Sequence, residues 1–497
     1  MAKYVGGALI PTLSIDRGDR ATITVQLVSA LRELILSGQL RAGERLPASR
    51  TLARDQGVSR TTAINAYEQL TAEGLLRSQV GSGTFVSDAI PTPAPKDEAE
   101  TEPGGTMPRL AHLSAEASDQ YFPRLSHPDT PRAFVTGMPA FDVFPMALWS
   151  RLASRYWRSP RSLVMSYPDP CGLLELRQAV CQHLRANRGV KCAPEEVFIF
   201  NGAQDAFNRI GGMLLDPGDP VWFENPGAIG ARNSLISCGA QLVPVPVDDQ
   251  GMDVRAGLDA APGFRLAFVT PAHQHPLGTT MTTDRRFELL RAAENARAWI
   301  IEDDYVGEFH YGAHTPLPLK SIDTSGRVIY VGTFSKALFP ALRLGYAVAP
   351  PKLVPFFQRI AGATMQGAPA SMQSIVADFI NEGHFAAHIR RMRDIYAERR
   401  DALLSEADRT LNGLLKVRPT DTGFHTIGDL THPGLSDVTV SQAARQAGIS
   451  AAPLSRFTIQ PVPRQAITLG FSAVPPAQIV KGVQALAPVL REAMKAA

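Results

Sequence analysis

The sequence predicts an α/β protein that carries a second, smaller domain at its N-terminus. From about Phe134 onward, short apolar runs such as VFIF, FRLAFVT and RVIYVGTF alternate with helical patterns. A stretch rich in proline and acidic residues precedes this region, and the first 88 residues carry a helical pattern of their own. Strand-like runs that alternate with helices are typical of a mostly parallel sheet covered on both faces.

Bulk composition limits the partners. The 497 residues exceed the length of one ordinary domain, and a chain with 44% hydrophobic and 20% charged residues is typical of globular proteins. A net charge of +3 is too small to indicate DNA binding by bulk electrostatics, so a DNA partner must be argued from a local element. The N-terminus lacks a signal-peptide layout and no window approaches 18 uncharged apolar residues, so we expect a cytoplasmic protein without a membrane partner.

The four cysteines give no sign of a metal site. Their spacing contains neither a CxxC pair nor a metal-ligand pattern; they are Cys171, Cys181, Cys192 and Cys238. We expect buried or partly buried thiols in a reducing compartment and no bound metal.

The N-terminal domain, residues 1–88, begins with a helix in TVQLVSALRELILSG that Gly38 ends. The face predicted to be buried consists of Val28, Leu31, Leu34 and Ile35. The next segment, ASRTLARDQGVSRTTAINAYEQLTAEG, predicts a short helix, a turn at Gly57 and Val58, and a second helix capped by Ser59. Two extended pieces around Gly81 then predict a hairpin.

The second of these helices presents its first turns outward. Its residues spaced for burial are Ala63, Ala66, Tyr67 and Leu70, which leaves outward Arg60, Thr61, Ile64 and Asn65. A helix-turn-helix places the N-terminal residues of its second helix against base edges in the major groove, where arginine binds guanine bidentately. The alternative is a small helical domain that makes dimer contacts and binds no DNA.

The segments GERLPASRTLARDQGVSRTTAINAYEQLTAEGLL and GSGTFV resemble the winged helix-turn-helix of the GntR family of bacterial regulators over about residues 22–88. The resemblance implies a small α+β domain that binds double-stranded DNA at operator repeats. It implies DNA contacts, including one near the minor groove from the wing glycine, by Arg50, Ser59, Arg60, Thr61, Thr62 and Gly81.

The next segment is predicted to be a flexible linker over residues 89–131. Residues 90–108, IPTPAPKDEAETEPGGTMP, are rich in proline, glutamate and small residues and show no apolar periodicity. Such a composition buries too little apolar surface to order the chain.

One lysine in the large domain, residues 132–497, lies among small and apolar neighbours. Lys336 is in TFSKALFPALRLGY, and the next cation, Arg343, follows seven residues later. A lysine whose pKa is lowered attacks a carbonyl carbon and forms a Schiff base, whereas an isolated Ser-Lys pair is explained by a strand-end lysine that reaches solvent.

Other features favour the reactive lysine. Asp303 follows a strand, at the sheet edge where α/β proteins build their sites. A small-residue turn at residues 202–204 leads into a helix and can bind a phosphate through backbone N–H groups, and Arg343 can pair with the same phosphate. A phosphate clamp, an acid for a ring nitrogen and a Schiff-base lysine together indicate a pyridoxal 5'-phosphate site.

Residues 132–490 resemble the fold type I aminotransferases of class I and II through YPDPCGLLELR, NGAQ, EDDY and TFSKALFPALRLGY. The resemblance implies that Lys336 is the internal aldimine lysine and that Asp303 pairs with the pyridine nitrogen. It implies that Tyr305 donates to the ring hydroxyl oxygen and that Tyr167 reaches the phosphate of the neighbouring subunit in a homodimer. Without the motifs, core packing explains both tyrosines. The residues implied to hold the phosphate are Gly202, Ala203, Gln204, Thr333, Ser335 and Arg343.

Three positions depart from the catalytic aminotransferase pattern. TPAHQHPLG has residues 273–275, His-Gln-His, where an asparagine contact is usual, and ENPGAIGAR has Ala228 where an aromatic ring usually stacks on the cofactor. Thr468 occupies the position of the arginine that binds a substrate carboxylate. The alternative alignment assigns that clamp to Arg464 or Arg456.

Together, the two parts resemble the MocR/GabR family of transcription regulators. This resemblance implies a head-to-tail homodimer whose aminotransferase-like domain senses an amine, an amino acid or a B6 vitamer through the lysine aldimine. Two alternatives stay open: a working aminotransferase with an appended winged helix, and a large domain that binds no cofactor and only dimerises the DNA-binding parts.

Overall fold

A computed structural model describes residues 10–11, 13, 15–79, 81–88, 111–122, 130–312, 315–364 and 366–496. The chain forms two compact units, Met1–Arg109 and Leu110–Ala497. Residues 1–9 and most of the predicted linker lie outside the described residues. The domain boundaries expected after residues 88 and 131 stay predictions.

The first unit has the helices and hairpin that its sequence predicts. Its elements are α1 Ile23–Leu36, α2 Ser49–Asp55, α3 Arg60–Ala72, β1 Leu76–Gln79 and β2 Gly83–Val86. The strands β1 and β2 pair antiparallel, and the Ser59 hydroxyl caps α3 by accepting the Thr62 N–H at 3.0 Å. The residues of α3 that pack inward are those expected from their spacing, except that Ile64, expected to point outward, is half-buried.

A helix lies inside the segment expected to be a linker. This helix, α4 His112–Gln120, was not predicted from the composition. It belongs to the second unit, and the chain that follows it is fixed on the helix Ile229–Ile236, because Asn233 donates to the Phe122 carbonyl at 2.8 Å and accepts the Phe122 N–H at 3.2 Å. The ring of Phe122 also lies 4.5 Å from the guanidinium of Arg232.

The second unit is built on an eight-stranded mixed sheet. Its strands are β3 Val197–Phe200, β4 Pro220–Asn225, β5 Gln241–Asp248, β6 Gly251–Met252, β7 Leu266–Val269, β8 Trp299–Asp303, β9 Val328–Thr333 and β10 Gly345–Val348. The order across the sheet is β3-β10-β9-β8-β7-β4-β5-β6. Strands β5, β4, β7, β8 and β9 run parallel, whereas β10 is antiparallel to both its neighbours.

Helices cover both faces of this sheet, which confirms the predicted fold class. Within β4, Trp222 packs into one buried cluster with α11 residues, and its neighbour Phe223 packs into another with α8 residues. The helices are α5 Met146–Trp157, α6 Arg161–Val164, α7 Leu174–Arg188, α8 Ala203–Leu214, α9 Ile229–Ile236, α10 Val254–Ala260, α11 Thr283–Ala296, α12 Leu319–Ile322, α13 Phe334–Ala337, α14 Val354–Thr364, α15 Ala370–Asn381, α16 His384–Leu411, α17 Asp437–Gln446 and α18 Pro476–Ala496.

A smaller antiparallel sheet follows near the C-terminus. Its strands are β11 Leu415–Val417, β12 His425–Leu430 and β13 Ala466–Gly470, in that order across the sheet. In the parts of the chain that the structure describes, none of the helices combines the length and apolar character needed to cross a bilayer.

Candidate functional site

The predicted DNA-contact residues of the first unit lie on α2, on α3 and its cap, and on the hairpin. Five of the six are exposed, and Thr62 is half-buried; the exposed ones are Arg50, Ser59, Arg60, Thr61 and Gly81. The Ser59 and Thr62 hydroxyls lie 2.8 Å apart and hydrogen-bond with each other, so both already stabilise the start of α3. Arg60 and Thr61, in the first turn, are the more available pair.

In the second unit, a cavity of about 620 Å³ opens where the carboxyl ends of several sheet strands meet. Nine of the ten predicted cofactor residues line it: Gly202, Ala203, Gln204, Asp303, Tyr305, Thr333, Ser335, Lys336 and Arg343. The tenth, Tyr167, does not line this cavity and is 84% exposed. The structure therefore brings together residues that lie up to 141 positions apart, from Gly202 to Arg343.

Lys336 projects into the cavity from α13, directly after β9. The Thr333 hydroxyl caps this short helix by accepting the Ser335 N–H at 3.2 Å. The Lys336 Nζ donates to the Gly137 carbonyl at 2.6 Å, and a Cβ at residue 137 would lie 3.0 Å from that nitrogen. Burial lowers the pKa of Lys336 to about 8, against the opposing effect of Asp303. About a tenth of this amine is therefore neutral and nucleophilic at pH 7, far more than for an ordinary lysine.

Asp303 and Tyr305, which line the same cavity as the lysine, each have a buried polar atom that is available for a hydrogen bond. Among the described residues, neither Asp303 Oδ1 nor Tyr305 Oη has a hydrogen-bond partner, although both atoms are buried. Burial, followed by the neighbouring carboxylates Asp304 and Glu224, raises the pKa of Asp303 well above its usual value, while Lys336 opposes this shift. A protonated ring nitrogen beside Asp303 would provide the missing positive partner.

The turn before α8 has the geometry of an anion site. Gly202 has φ +91°, α8 starts without a side-chain cap, and residues 202–204 line the cavity, so the start of this helix lies at the cavity wall. A Cβ at residue 202 would lie 3.7 Å from Arg343 Cζ, which places the guanidinium beside the turn. Gly345 lets β10 approach closely, since a Cβ there would lie 2.9 Å from the Ala203 nitrogen.

The loop after β7 contains residues 273–275, which differ from the catalytic aminotransferase pattern, and one of the three lines the cavity. Glu224 holds this loop, accepting the Thr270 hydroxyl at 2.6 Å and the Gln274 amide at 3.2 Å. His275 lines the cavity, whereas His273 and Gln274 do not, so of the three only His275 can replace the usual asparagine contact. Burial, followed by repulsion from His425 and Lys336, lowers the pKa of His275 well below its usual value and keeps the imidazole neutral.

The structure distinguishes the three candidates for a carboxylate clamp. Thr468 is buried in β13 and donates to the Ala452 carbonyl at 3.4 Å. Arg464 pairs with Asp429 at 2.5 Å. Arg456 lines the cavity, as does Ala228, where no aromatic ring stacks. Of the three, only Arg456 lines this cavity.

Sequence reasoning missed two features of this site. Gly137, which accepts the Lys336 hydrogen bond, lies 199 residues away, in a stretch without a motif. Phe457 closes the cavity beside Arg456 and contacts the His275 ring edge-on at 5.2 Å. The 3-10 turn Leu454–Phe457 that carries both Arg456 and Phe457 had no recognisable signal beyond the arginine itself.

The donor set fits pyridoxal 5'-phosphate. An amine, an unpartnered carboxylate, an unpartnered phenol and an uncapped helix start surround one cavity, as this cofactor requires. A winged helix-turn-helix unit followed by a fold type I unit of this kind defines the class: a DNA-binding regulator with an aminotransferase-like domain.

Comparison with known proteins agrees with this class. Residues 153–486 match the family described as aminotransferase class I and II, and residues 23–86 match the bacterial regulatory proteins of the gntR family. The chain belongs to the MocR-type regulators, in which these two domains share one polypeptide. The GntR match implies DNA binding.

Full-length relatives and a solved structure support the assignment. The chain is 39% identical to the probable rhizopine catabolism regulatory protein MocR of Rhizobium meliloti, over 95% of both proteins. It is 33% identical to the HTH-type transcriptional regulator TauR of Rhodobacter capsulatus, over 95% of this chain and 98% of that one. The α-aminoadipate aminotransferase LysN of Thermus thermophilus, complexed with N-(5'-phosphopyridoxyl)-L-leucine, superposes with a TM-score of 0.68 and 25% identity over 78% of this chain and 96% of that one.

Proposed function

We propose that this chain is a transcription regulator whose large domain binds pyridoxal 5'-phosphate at Lys336 and senses an amine that carries a carboxylate or similar anion. The observation that carries the proposal is the single cavity in which Lys336, with its lowered pKa, meets the unpartnered atoms of Asp303 and Tyr305. The same polypeptide carries the winged helix-turn-helix domain, so ligand binding and DNA binding belong to one molecule.

Each group in the cavity has a defined task toward the cofactor. When bound, the cofactor supplies an aldehyde that condenses with primary amines. Lys336 is the attachment point, the Asp303 carboxylate holds a proton on the ring nitrogen, and the Tyr305 phenol donates to the ring oxygen. Neutral His275, whose buried Nδ1 has no hydrogen-bond partner among the described residues, would supply a further hydrogen bond to the cofactor. The phosphate is held by the helix α8 start, Arg343, Thr333 and Ser335.

Arg456 defines the chemistry of the effector. A guanidinium recognises a carboxylate, a sulfonate or a phosphate through paired hydrogen bonds. Arg456 and Lys336 line the same cavity, so the effector joins an amine to an anionic group. Ala228 leaves open the face on which an aromatic ring usually stacks, which gives the effector additional room.

A homodimer accounts for Tyr167. This side chain lies outside the cavity of its own chain, and it belongs to a stretch with several strongly exposed large apolar residues, Met146, Trp157, Met165 and Tyr167. Exposed apolar surface of this kind marks contact sites. We propose a head-to-tail dimer in which Tyr167 reaches the phosphate in the partner subunit, within the cytoplasm.

The proposal is tested on the full-length protein incubated with pyridoxal 5'-phosphate. We expect a visible absorption band, and borohydride reduction followed by peptide mapping to place the phosphopyridoxyl group on Lys336. Amines with an anionic group should change the band and, at the same concentrations, change affinity for the DNA upstream of the gene. A protein without a preference for that DNA over random DNA contradicts the regulator, and a colourless protein leaves only a dimerising role for the large domain.

The role of Arg456 is tested by a matched pair of variants. Arg456→Ala should weaken amines that carry a carboxylate about 10- to 100-fold, because a charged hydrogen bond is lost, and should spare amines without one. Arg464→Ala removes the same charge from a residue that pairs with Asp429 outside the cavity and should have no such effect. Equal weakening of both kinds of amine in Arg456→Ala contradicts the clamp.

A working aminotransferase is the second candidate, and Arg456 is the observation that favours it. The carboxylate clamp that Thr468 lacks is available from this arginine, so the cavity retains a group able to orient an amino acid. Steady conversion of an amino acid with a keto acid, lost in Lys336→Ala, would establish this activity. A single half-reaction without turnover would exclude it.

A further inference from the structure

Two of the four cysteines form a buried pair. Cys181 on α7 and Cys192 in the loop before β3 place their Sγ atoms 3.4 Å apart, and both are less than a tenth exposed. A disulfide needs about 2.05 Å between the sulfurs, a distance that small side-chain rotations can close from here. The other two, Cys171 and Cys238, are only half-buried and do not belong to this pair.

A second cavity gives access to this pair. Its volume is about 730 Å³, and both Cys181 and Cys192 line it, together with the cations Arg185 and Lys191 and the anion Glu196. The cavity is separate from the cofactor cavity, with which it shares no lining residue among those described. Its size and its excess of cations fit a small anionic molecule.

The two thiols differ in their readiness to ionise. Hydrogen bonding with Cys181 lowers the pKa of the Cys192 thiol, while the pKa of Cys181 is raised by the same contact and by burial. Lys320 and Arg185 act in the same direction on Cys192, against burial and Glu196. Cys192 also lies in a loop directly after Lys191, whereas Cys181 is held within α7, so we assign the attack to Cys192 and the resolving role to Cys181.

The segment between the two cysteines leads toward the cofactor site. It contains Arg188, whose guanidinium binds the buried Asp304 at 2.6 Å, and Asp304 also accepts the Tyr330 hydroxyl at 2.7 Å. Asp304 directly follows Asp303, the last residue of β8. A disulfide between Cys181 and Cys192 would close a covalent loop that contains Arg188, the partner of Asp304.

We propose that Cys181 and Cys192 form a reversible intramolecular disulfide on reaction with small anionic disulfides such as oxidised glutathione. The Cys192 thiolate attacks one sulfur of the reagent, forming a mixed disulfide and releasing one thiolate. Cys181 loses its proton to solvent and attacks the Cys192 sulfur, which releases the second thiolate. Two protein thiols are oxidised and one reagent disulfide is reduced to two thiols, so no further oxidant is needed.

The test uses the full-length protein, reduced and then freed of reductant. After treatment with oxidised glutathione, we expect titration of the denatured protein to show two free thiols instead of four, and non-reducing peptide mapping to join the Cys181 and Cys192 peptides. Dithiothreitol should restore all four thiols. Retention of four thiols, or a bond that involves Cys171 or Cys238, overturns the proposal.

Matched variants locate the chemistry. The double variant Cys171→Ser with Cys238→Ser keeps the pair and should still lose both remaining thiols. Cys181→Ser removes the resolving thiol, so Cys192 should accumulate as a mixed disulfide with glutathione; Cys192→Ser should leave Cys181 largely unmodified. A mixed disulfide on Cys181 in the last variant, at the rate seen for Cys192, contradicts the assigned roles. The peptide map of the unmodified sequence decides the proposal if a variant fails to fold.

Discussion

The two candidate sites of this chain are built in opposite ways. The DNA-contact residues of the first unit are mostly exposed, and the hydroxyls of Ser59 and Thr62 are already used to cap α3. In the cofactor cavity, by contrast, Asp303 and Tyr305 are buried with unpartnered atoms. A surface that binds a polyanion needs only charge and shape, whereas a cavity for a small molecule holds hydrogen-bonding groups that the ligand must complete. The second arrangement costs stability until the ligand binds.

The largest expected effect is the loss of cofactor attachment in Lys336→Ala. This variant removes the only amine placed in the described cavity, so the visible band should disappear completely. Absorption spectra and peptide mapping after borohydride reduction measure it. Because the DNA-contact residues belong to the other unit, the cofactor-free variant should still bind its upstream DNA. The exposed Lys352→Ala is the control and should keep the band; a band that survives in Lys336→Ala contradicts the site.

A smaller effect is expected from Arg60→Ala in the first unit. Loss of one base or phosphate contact should weaken specific DNA binding about 10- to 100-fold, with no change in the cofactor spectrum. Binding at several salt concentrations measures it. Arg32→Ala is the matched control, because Arg32 pairs with Glu73 at the far end of α3. Equal loss in both variants would mean that bulk charge, and not the start of α3, determines DNA binding.

The pH dependence of cofactor attachment should follow the pKa of Lys336. Burial lowers that pKa from 10.5 to about 8, and only the neutral amine attacks, so the attachment rate should rise with pH and level off above pH 8. The rise from pH 7 to pH 9 is about tenfold for such a group. Stopped-flow absorbance on the cofactor-free protein measures the rate. A rate that keeps rising to the pKa of an ordinary lysine would show that the amine is not buried in solution.

The smallest expected effect is a gain of stability in Asp303→Asn. The amide keeps the shape of the side chain and removes a buried carboxylate whose Oδ1 has no partner among the described residues, so the cofactor-free protein should gain about 1 kcal/mol. Asp437→Asn is the contrast, because Asp437 accepts from both the backbone and the hydroxyl of Ser455 and should lose stability. Denaturant unfolding measures both. Destabilisation of the cofactor-free protein by Asp303→Asn would contradict the inference that the buried carboxylate lowers stability until the cofactor binds.

The sequence predicted the fold well because its signals are local. Buried strands such as β3 and β7 are continuous apolar runs, and α3 buries the residues that its 3.6-residue period selects. The helix α4 was missed because composition does not reveal that it belongs to the second unit or that Phe122, which follows it, contacts Asn233. Ile64 was placed outward by period alone, but packing half-buries it.

By itself, the sequence determined the class of protein, the two-part organisation and nine residues that line one cavity, since motifs fix residue type and order along the chain. Only the tertiary structure decided that Arg456 and not Arg464 faces that cavity, that His275 alone of its loop does so, and that Cys181 and Cys192 are in contact. These outcomes depend on which distant segments pack together. A side chain's neighbours in space, rather than along the chain, determine its charge partners and its burial.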